Sequence, residues 1–121
     1  MDTVATTIEQ TRPAAVIDQA HLTKATFGDS RLQRDVLLLF DRQVVLLMAR
    51  IRNSAPAAVG GHAHTLKGSA AGIGAWAVVT AAEAVERASA TSLSECDRAI
   101  RGLAAAVEEA RAAIAEMLHA P

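Results

Sequence analysis

Residues 29–53, with the sequence DSRLQRDVLLLFDRQVVLLMARIRN, decide the class of fold of this 121-residue chain. Apolar side chains recur at steps of three and four residues, which is the period of one helix face. That stripe contains Leu32, Val36, Phe40, Val44, Leu47 and Ile51. Asp29 or Ser30 is suited to cap the first turn. Further apolar side chains widen the stripe, so we expect this helix to bury more than one face. They are Leu38, Leu39, Val45 and Leu46.

The segments on either side predict four more helices. Asp18 can cap a short helix over about 18–26 that ends at Gly28. Ser54-Ala55-Pro56 begins a helix that runs to about residue 71 and ends in the 72–74 turn. A further helix is predicted over about 75–90. Its side chains expected to face inward are Ala75, Val78, Ala81, Ala82 and Val85. After Thr91-Ser92, the last helix has an inward stripe of Ile100, Leu103, Val107, Ala110, Ile114 and Met117.

Four long amphipathic helices joined by short turns predict an all-α fold, an antiparallel up-down four-helix bundle with an additional short N-terminal helix. We expect residues 16–121 to form this bundle domain and residues 1–15, which are polar and Thr-rich, to be a flexible lead-in. An initiating Met followed by such a lead-in favours a free-standing protein over a segment of a larger kinase.

The composition argues against several classes of function. The formal net charge of −1 provides no basic field for nucleic acid. The sequence contains no run of about 18 apolar residues, so it predicts no membrane span. No signal peptide is recognisable. The single cysteine, Cys96, excludes an internal disulfide and reads as a small apolar residue. We therefore expect a cytoplasmic monomer that binds neither nucleic acid nor membrane.

One short motif carries chemistry, the run His64-Thr65-Leu66-Lys67-Gly68. On a helix, His64, Lys67 and Gly68 share one face, because residues three and four apart are neighbours. A neutral imidazole is nucleophilic near neutral pH. A lysine one turn away can place a cation beside phosphoryl oxygens. A glycine inside a helix costs roughly 1 kcal/mol relative to alanine, and close approach of another protein would explain it.

This run and its surroundings resemble the histidine-containing phosphotransfer (HPt) domain of two-component signalling. Similar domains have an alanine before the histidine, a Leu-Lys-Gly-[Ser/Ala] run after it, and a Gly-Ala pair that opens the next helix. Small or apolar residues and an apolar-acidic pair follow. The matching positions are Ala63, Leu66-Lys67-Gly68-Ser69, Gly74-Ala75, Val78, Ala81-Ala82 and Val85-Glu86. Val16-Ile17-Asp18, Leu22, Gly28-Asp29 and Phe40 resemble the family's opening, so the resemblance spans about residues 16–118.

The resemblance implies that His64 is the phosphoacceptor, with Lys67 stabilising phosphate charge and Gly68 leaving clearance for the partner. The donor and the acceptor would be aspartates of receiver domains, in a hybrid sensor kinase, in response regulators or in both. This chain would bind no cofactor and no metal, and the Mg²⁺ would sit in the acidic pocket of the partner receiver. The chain has no Gly-rich nucleotide loop, so we expect no autonomous ATP-dependent kinase activity.

Five further residues are candidates for docking a partner: Gly60, Ala71, Trp76, Glu83 and Arg87. Trp76 is either a lid on the end of the bundle or a partner anchor, and we favour the lid. Glu83 and Arg87, four residues apart, are expected to form a surface ion pair that could border the docking face.

Two features are open to plainer interpretations. Gly60-Gly61 either loosens the helix or clears room for the partner. His62 and His64 point about 200° apart on a helix, so metal chelation is not expected. His21 and His119 are expected to be isolated and solvated near the ends of helices.

Two other functions remain possible on the sequence alone. A non-catalytic helical adaptor would bind a receiver or kinase domain without phosphorylation of His64. A structural or oligomerisation module would use the apolar excess in residues 36–48 to dimerise.

Overall fold

The structure is a computed structural model that describes residues 15–120. Over these residues it contains five helices and no strand. The helices are α1 (Gln19–Ala25), α2 (Ser30–Asn53), α3 (Pro56–Ile73), α4 (Trp76–Ala88) and α5 (Leu93–His119). The predicted lead-in falls almost entirely on residues 1–14, which lie outside the described residues, so it stays a prediction.

The four long helices form a closed antiparallel bundle. α2 packs on α3, α3 on α4, α4 on α5, and α5 returns to α2, while α1 lies against α3. Short connections place consecutive helices side by side in opposite directions. The predicted fold is confirmed, including the short N-terminal helix.

Three of the helices start at a side-chain cap, at the positions where the sequence predicts a helix start. The carboxylate of Asp29 accepts hydrogen bonds from the backbone N–H groups of Arg31 and Leu32 at the start of α2. Asp18 caps α1, and the Ser92 hydroxyl caps α5. Such caps satisfy N–H groups that have no partner within the helix, so they fix where each helix begins.

Each helix contributes one stripe of buried side chains to the core. In α2 the buried side chains differ from the predicted ones. Leu37 and Met48 are buried there, whereas Leu32 is exposed and Val36 is half-buried. The predicted second buried face is wrong. Leu39, Val45 and Leu46 are 53%, 47% and 58% exposed, and Leu38 is half-buried. Among the long helices α2 packs on α3 and α5, and these two cannot cover its whole circumference.

Asp18 fastens α1 to the turn between α3 and α4. Its backbone N–H donates to the Gly74 carbonyl at 3.0 Å, and its carboxylate accepts a 2.9 Å hydrogen bond from Trp76 Nε1. The bond from Trp76 is the main reason that the pKa of Asp18 lies below its usual value. The His21 ring meets the Trp76 ring edge-on, with 4.9 Å between centroids. These contacts support the lid interpretation of Trp76, and the prediction that His21 is isolated is wrong.

No helix in residues 15–120 combines the length and the apolar character needed to cross a bilayer.

Candidate functional site

His64 stands on the solvent face in the middle of α3, and its side chain is 70% exposed. The opposite face of the same helix is buried, with Ala63, Leu66 and Ala70 all fully enclosed in the core. The 3.6-residue period of the helix therefore fixes the direction of the imidazole, because the buried stripe allows no rotation of the backbone.

Glu86 of α4 joins His64 and Lys67 in one charged cluster, which we call the His64–Lys67–Glu86 cluster. Glu86 Oε2 lies 3.2 Å from His64 Nδ1, and Glu86 Oε1 lies 2.9 Å from Lys67 Nζ. The side chains of Lys67 and Glu86 are 28% and 26% exposed, so both are partly shielded from water. The predicted proximity of His64 and Lys67 is observed, and Glu86 is the third member.

The contact with Glu86 determines which ring nitrogen of His64 can act as a nucleophile. An ionised carboxylate only accepts hydrogen bonds, so His64 Nδ1 must carry the proton that faces Glu86. In the neutral imidazole the lone pair is then on Nε2, the other ring nitrogen. In that form of the ring, the contact with Glu86 leaves Nε2 as the nitrogen with the free lone pair, on a side chain that is open to solvent.

Glu86 is ionised at neutral pH like an ordinary glutamate, and the same cluster stabilises its ionised form further. Its pKa lies below the usual glutamate value, chiefly through the contact with the Lys67 ammonium and to a lesser degree through His64, against an opposing effect of burial. Since the folded-state pKa is depressed, the contribution of this carboxylate to stability is present at neutral pH and is lost as the pH falls through that value. The cluster is therefore intact at neutral pH.

Gly68, one turn after His64, leaves a gap on the surface. A Cβ atom built there would meet nothing within 4 Å, and the same is true of Gly61 and Gly72 on α3. No packing within the described residues therefore explains these three glycines. The surface beside the imidazole is flat and free of side chains, which lets another molecule approach it closely.

Gly60 has a different role, which neither interpretation of Gly60-Gly61 anticipated. A Cβ atom at this position would lie 3.0 Å from the Ser89 hydroxyl oxygen at the end of α4. Gly60 is half-buried and allows α3 and α4 to approach each other, so packing within the bundle accounts for it.

The remaining candidate residues do not join the cluster. Ala71 is half-buried near the end of α3. Glu83 and Arg87 form no ion pair among the described residues, so that prediction is wrong. An i, i+4 pair on a helix gains only about 0.2–0.5 kcal/mol, which is too little to hold two long side chains together. Within residues 15–120 no group of acidic, histidine and cysteine side chains is arranged to hold a metal ion.

The sequence analysis did not identify Glu86 as a member of this cluster. Glu86 entered only as the acidic member of the Val85-Glu86 pair in the resemblance, with no role attached. Its position 22 residues beyond His64, on another helix, gives no local spacing signal. The one available hint to a role for Glu86 was this pairing of an apolar with an acidic residue, in which Val85 is buried and Glu86 is half-buried.

Comparison with known proteins places the chain in a family. The family model described as Hpt domain matches residues 9–118. No curated protein and no solved structure shows significant similarity to the chain. Hpt domains are phosphotransfer modules and not autonomous kinases. The match covers nearly the whole sequence, and the chain belongs to the Hpt domain family, whose members serve phosphotransfer in two-component signalling.

Proposed function

We propose that His64 accepts a phosphoryl group from an aspartyl phosphate of one receiver domain and passes it to an aspartate of another. The observation that supports this most directly is the exposed His64 ring with its Nδ1 turned toward Glu86 at 3.2 Å. A purely structural histidine has no need of a carboxylate that selects its tautomer while the ring faces solvent.

In the proposed step, the lone pair of His64 Nε2 attacks the phosphorus atom and forms an N–P bond. The bond between phosphorus and the aspartyl oxygen breaks, and the aspartate leaves as a carboxylate with the electron pair. The ring gains positive charge because Nδ1 keeps its proton, and the Glu86 carboxylate stabilises that charge. The reverse sequence regenerates the neutral ring when the next receiver aspartate takes the group.

In this proposal the Lys67 ammonium stabilises the negative charge of the phosphoryl oxygens. Its ammonium lies on the same helix face as His64, one turn away, where Glu86 holds it at 2.9 Å. Phosphoryl transfer depends mainly on positioning and charge stabilisation, so a single fixed cation is a sufficient contribution from this chain. The Mg²⁺ of the reaction would belong to the receiver, and the compartment that we propose is the cytoplasm.

The function is tested by incubating the protein with a panel of phosphorylated receiver domains. A label that is acid-labile and alkali-stable identifies a phosphohistidine, and we expect at least one receiver to transfer it. Lys67→Ala should remain competent but react about tenfold more slowly, since a charged hydrogen bond contributes about 1.5 kcal/mol. Binding of a receiver without any label would favour the alternative function, a non-catalytic helical adaptor.

Glu86→Gln is expected to slow receiver-dependent labelling of His64 by roughly tenfold, a loss of about 1.4 kcal/mol of transition-state stabilisation. The amide removes the negative charge that stabilises the ring, and its NH₂ group can favour the wrong tautomer. The rate is measured by single-turnover transfer from one receiver. Glu116→Gln, on the exposed surface of α5, is the matched control and should react like the wild type. Equal rates for the two variants would contradict the positioning role of Glu86.

Gly68→Ala is expected to increase stability and decrease transfer. Its Cβ meets open space, so the helix gains about 0.5–1 kcal/mol from the better helix former. The same methyl group stands where the receiver must approach His64, and a displacement of the reacting atoms by about 1 Å can slow a reaction by up to 10²-fold. Thermal unfolding and single-turnover transfer measure the two effects separately. A variant that is more stable and equally fast would show that Gly68 gives no clearance.

A further inference from the structure

The last turn of α4 lies against α3 at a point where α3 has no side chain. A Cβ atom built on Gly60 would lie 3.0 Å from the Ser89 hydroxyl oxygen, which is closer than side chains normally pack. The other glycines inside helices would each meet nothing within 4 Å, and they are Gly61, Gly68, Gly72 and Gly102. Within residues 15–120, Gly60 is therefore the helical glycine whose missing side chain a neighbouring helix requires.

Ser89 is fixed to the turn of α4 that carries Glu86. Its hydroxyl donates a 2.8 Å hydrogen bond to the backbone carbonyl of Glu86, and its N–H donates at 2.9 Å to the Val85 carbonyl. Carbonyls in the last turn of a helix lack partners within the helix, so the hydroxyl of Ser89 supplies one to Glu86. A methyl group on residue 60 would therefore press on the backbone of Glu86 through Ser89.

Gly60 is in register with the contact between Glu86 and His64. It lies four residues before His64 on α3, and Ser89 lies three residues after Glu86 on α4. In antiparallel helices these spacings put the two contacts about one turn apart on facing stripes. Ala63, between Gly60 and His64, is fully buried. Because the distance between helix axes depends on the side chains at the contact, these small residues bring α3 and α4 close together beside His64.

The contact that depends on this separation has little tolerance. Glu86 Oε2 lies 3.2 Å from His64 Nδ1, at the long end of the range for N–H···O hydrogen bonds. An increase of about 0.4 Å would take this distance beyond any hydrogen bond. Glu86 Oε1 is held at 2.9 Å by the Lys67 ammonium, so the charged contact is kept and the longer one is lost when the helices separate.

Stability alone does not account for the glycine at position 60. Gly60 has no side chain and Ser89 is polar, so their contact buries little apolar area. Glycine also lowers the stability of a helix interior relative to alanine. The chain therefore gives up helix stability at a position where its gain is the close approach of α4.

We propose that Gly60 is a positioning residue for the phosphoryl acceptor, since its missing side chain sets the separation of α3 and α4 at which Glu86 reaches His64 Nδ1. Its role is indirect, because it touches neither the imidazole nor the phosphoryl group. This inference rests on the proposed function, in which the contact with Glu86 keeps the proton on Nδ1 and leaves the lone pair on Nε2. It gives Gly60 a part in the reaction rather than in docking.

The first test reads the tautomer of His64 in Gly60→Ala. Nitrogen-15 chemical shifts of the neutral ring show which nitrogen carries the proton. We expect the ratio of the Nδ1–H form to the Nε2–H form to fall about three- to tenfold from the wild-type value, the range that one hydrogen bond accounts for. Gly102→Ala, inside α5 where the added Cβ meets nothing within 4 Å, is the matched control and should keep the wild-type ratio. An unchanged ratio in Gly60→Ala would overturn the proposal.

A second substitution tests whether the added methyl group acts through Ser89. Ser89→Ala removes the hydroxyl oxygen that the methyl group of Gly60→Ala would meet. We expect the double variant to return to within about twofold of the wild-type tautomer ratio, because two residues in contact do not act additively. A double variant that keeps the reduced ratio of Gly60→Ala would show that the methyl group acts elsewhere, and the proposal would fail.

Phosphoramidate separates failure of this inference from failure of the proposed function. This small donor transfers its phosphoryl group with release of ammonia and needs no receiver. We expect it to label Gly60→Ala on His64 about three- to tenfold more slowly than the wild type, and the double variant to recover. An unchanged labelling rate in Gly60→Ala overturns the inference even if the tautomer shifts. Absence of label in the wild type, from phosphoramidate and from every receiver, contradicts the proposed function, and the tautomer ratio still decides whether Gly60 positions Glu86.

Discussion

His64→Gln is expected to abolish phosphoryl labelling of this protein completely, by every receiver and by phosphoramidate. Glutamine has no nucleophilic ring nitrogen, and no neighbouring side chain in the His64–Lys67–Glu86 cluster can replace it. Lys67 Nζ is engaged with Glu86 Oε1 at 2.9 Å, so it is not placed to replace the imidazole. The fold should be unaffected because the side chain is 70% exposed and lies outside the core.

The matched control for this variant is His62→Gln. His62 lies on the same helix, two residues before His64, and points about 200° away from it. It should be labelled at the wild-type rate. If His64→Gln kept acid-labile label and lost it only when His62 was also replaced, the acceptor would be His62 and not His64. Circular dichroism of both variants confirms that the comparison is between folded proteins.

Gly74→Ala is expected to destabilise the fold strongly. Gly74 has a φ of +77°, which alone costs an L-residue about 1–2 kcal/mol. The added Cβ would also lie 2.9 Å from the Asp18 Cβ and 3.1 Å from the Asp18 carbonyl oxygen. The backbone cannot move aside cheaply, because Asp18 N–H donates to the Gly74 carbonyl. We expect a loss of about 2–4 kcal/mol in the free energy of unfolding.

Gly61→Ala is the control for this stability prediction. Gly61 is inside α3, and a Cβ there meets nothing within 4 Å. Replacement by alanine should stabilise the helix by about 0.5–1 kcal/mol. Urea denaturation of both variants, with equal m-values, measures the two changes in opposite directions. A Gly74→Ala variant as stable as the wild type would mean that the α3–α4 turn can relax without the contact to Asp18.

The sequence predicts the helices well because their signals are local. Asp18 and Asp29 each place a carboxylate at a helix start, and Gly74 ends α3 in the left-handed region. These effects act within one helical turn and need no knowledge of the rest of the fold. The same holds for His64, Lys67 and Gly68, whose spacing alone places them on one face.

Apart from the Glu83–Arg87 pair, the features that were mispredicted or missed depend on contacts between helices. Glu86 reaches His64 from α4, and Ser89 meets Gly60 from the end of the same helix. Neither contact leaves a trace in local spacing. The exposure of Leu39 and Leu46 likewise depends on how many neighbours α2 has, and a count of apolar residues cannot supply that number. An apolar stripe wider than one face is therefore ambiguous between a larger core and a surface for another protein.

The hydrogen bond between Trp76 and Asp18 provides an intrinsic optical probe. Trp76 is the only tryptophan of the chain, and its indole contacts both the N-cap of α1 and the ring of His21. Its emission spectrum therefore reports whether α1 is seated, while circular dichroism near 222 nm is dominated by the four long helices. Recorded together during denaturation, the two signals distinguish detachment of one short segment from cooperative melting of the remainder, without any added dye or label.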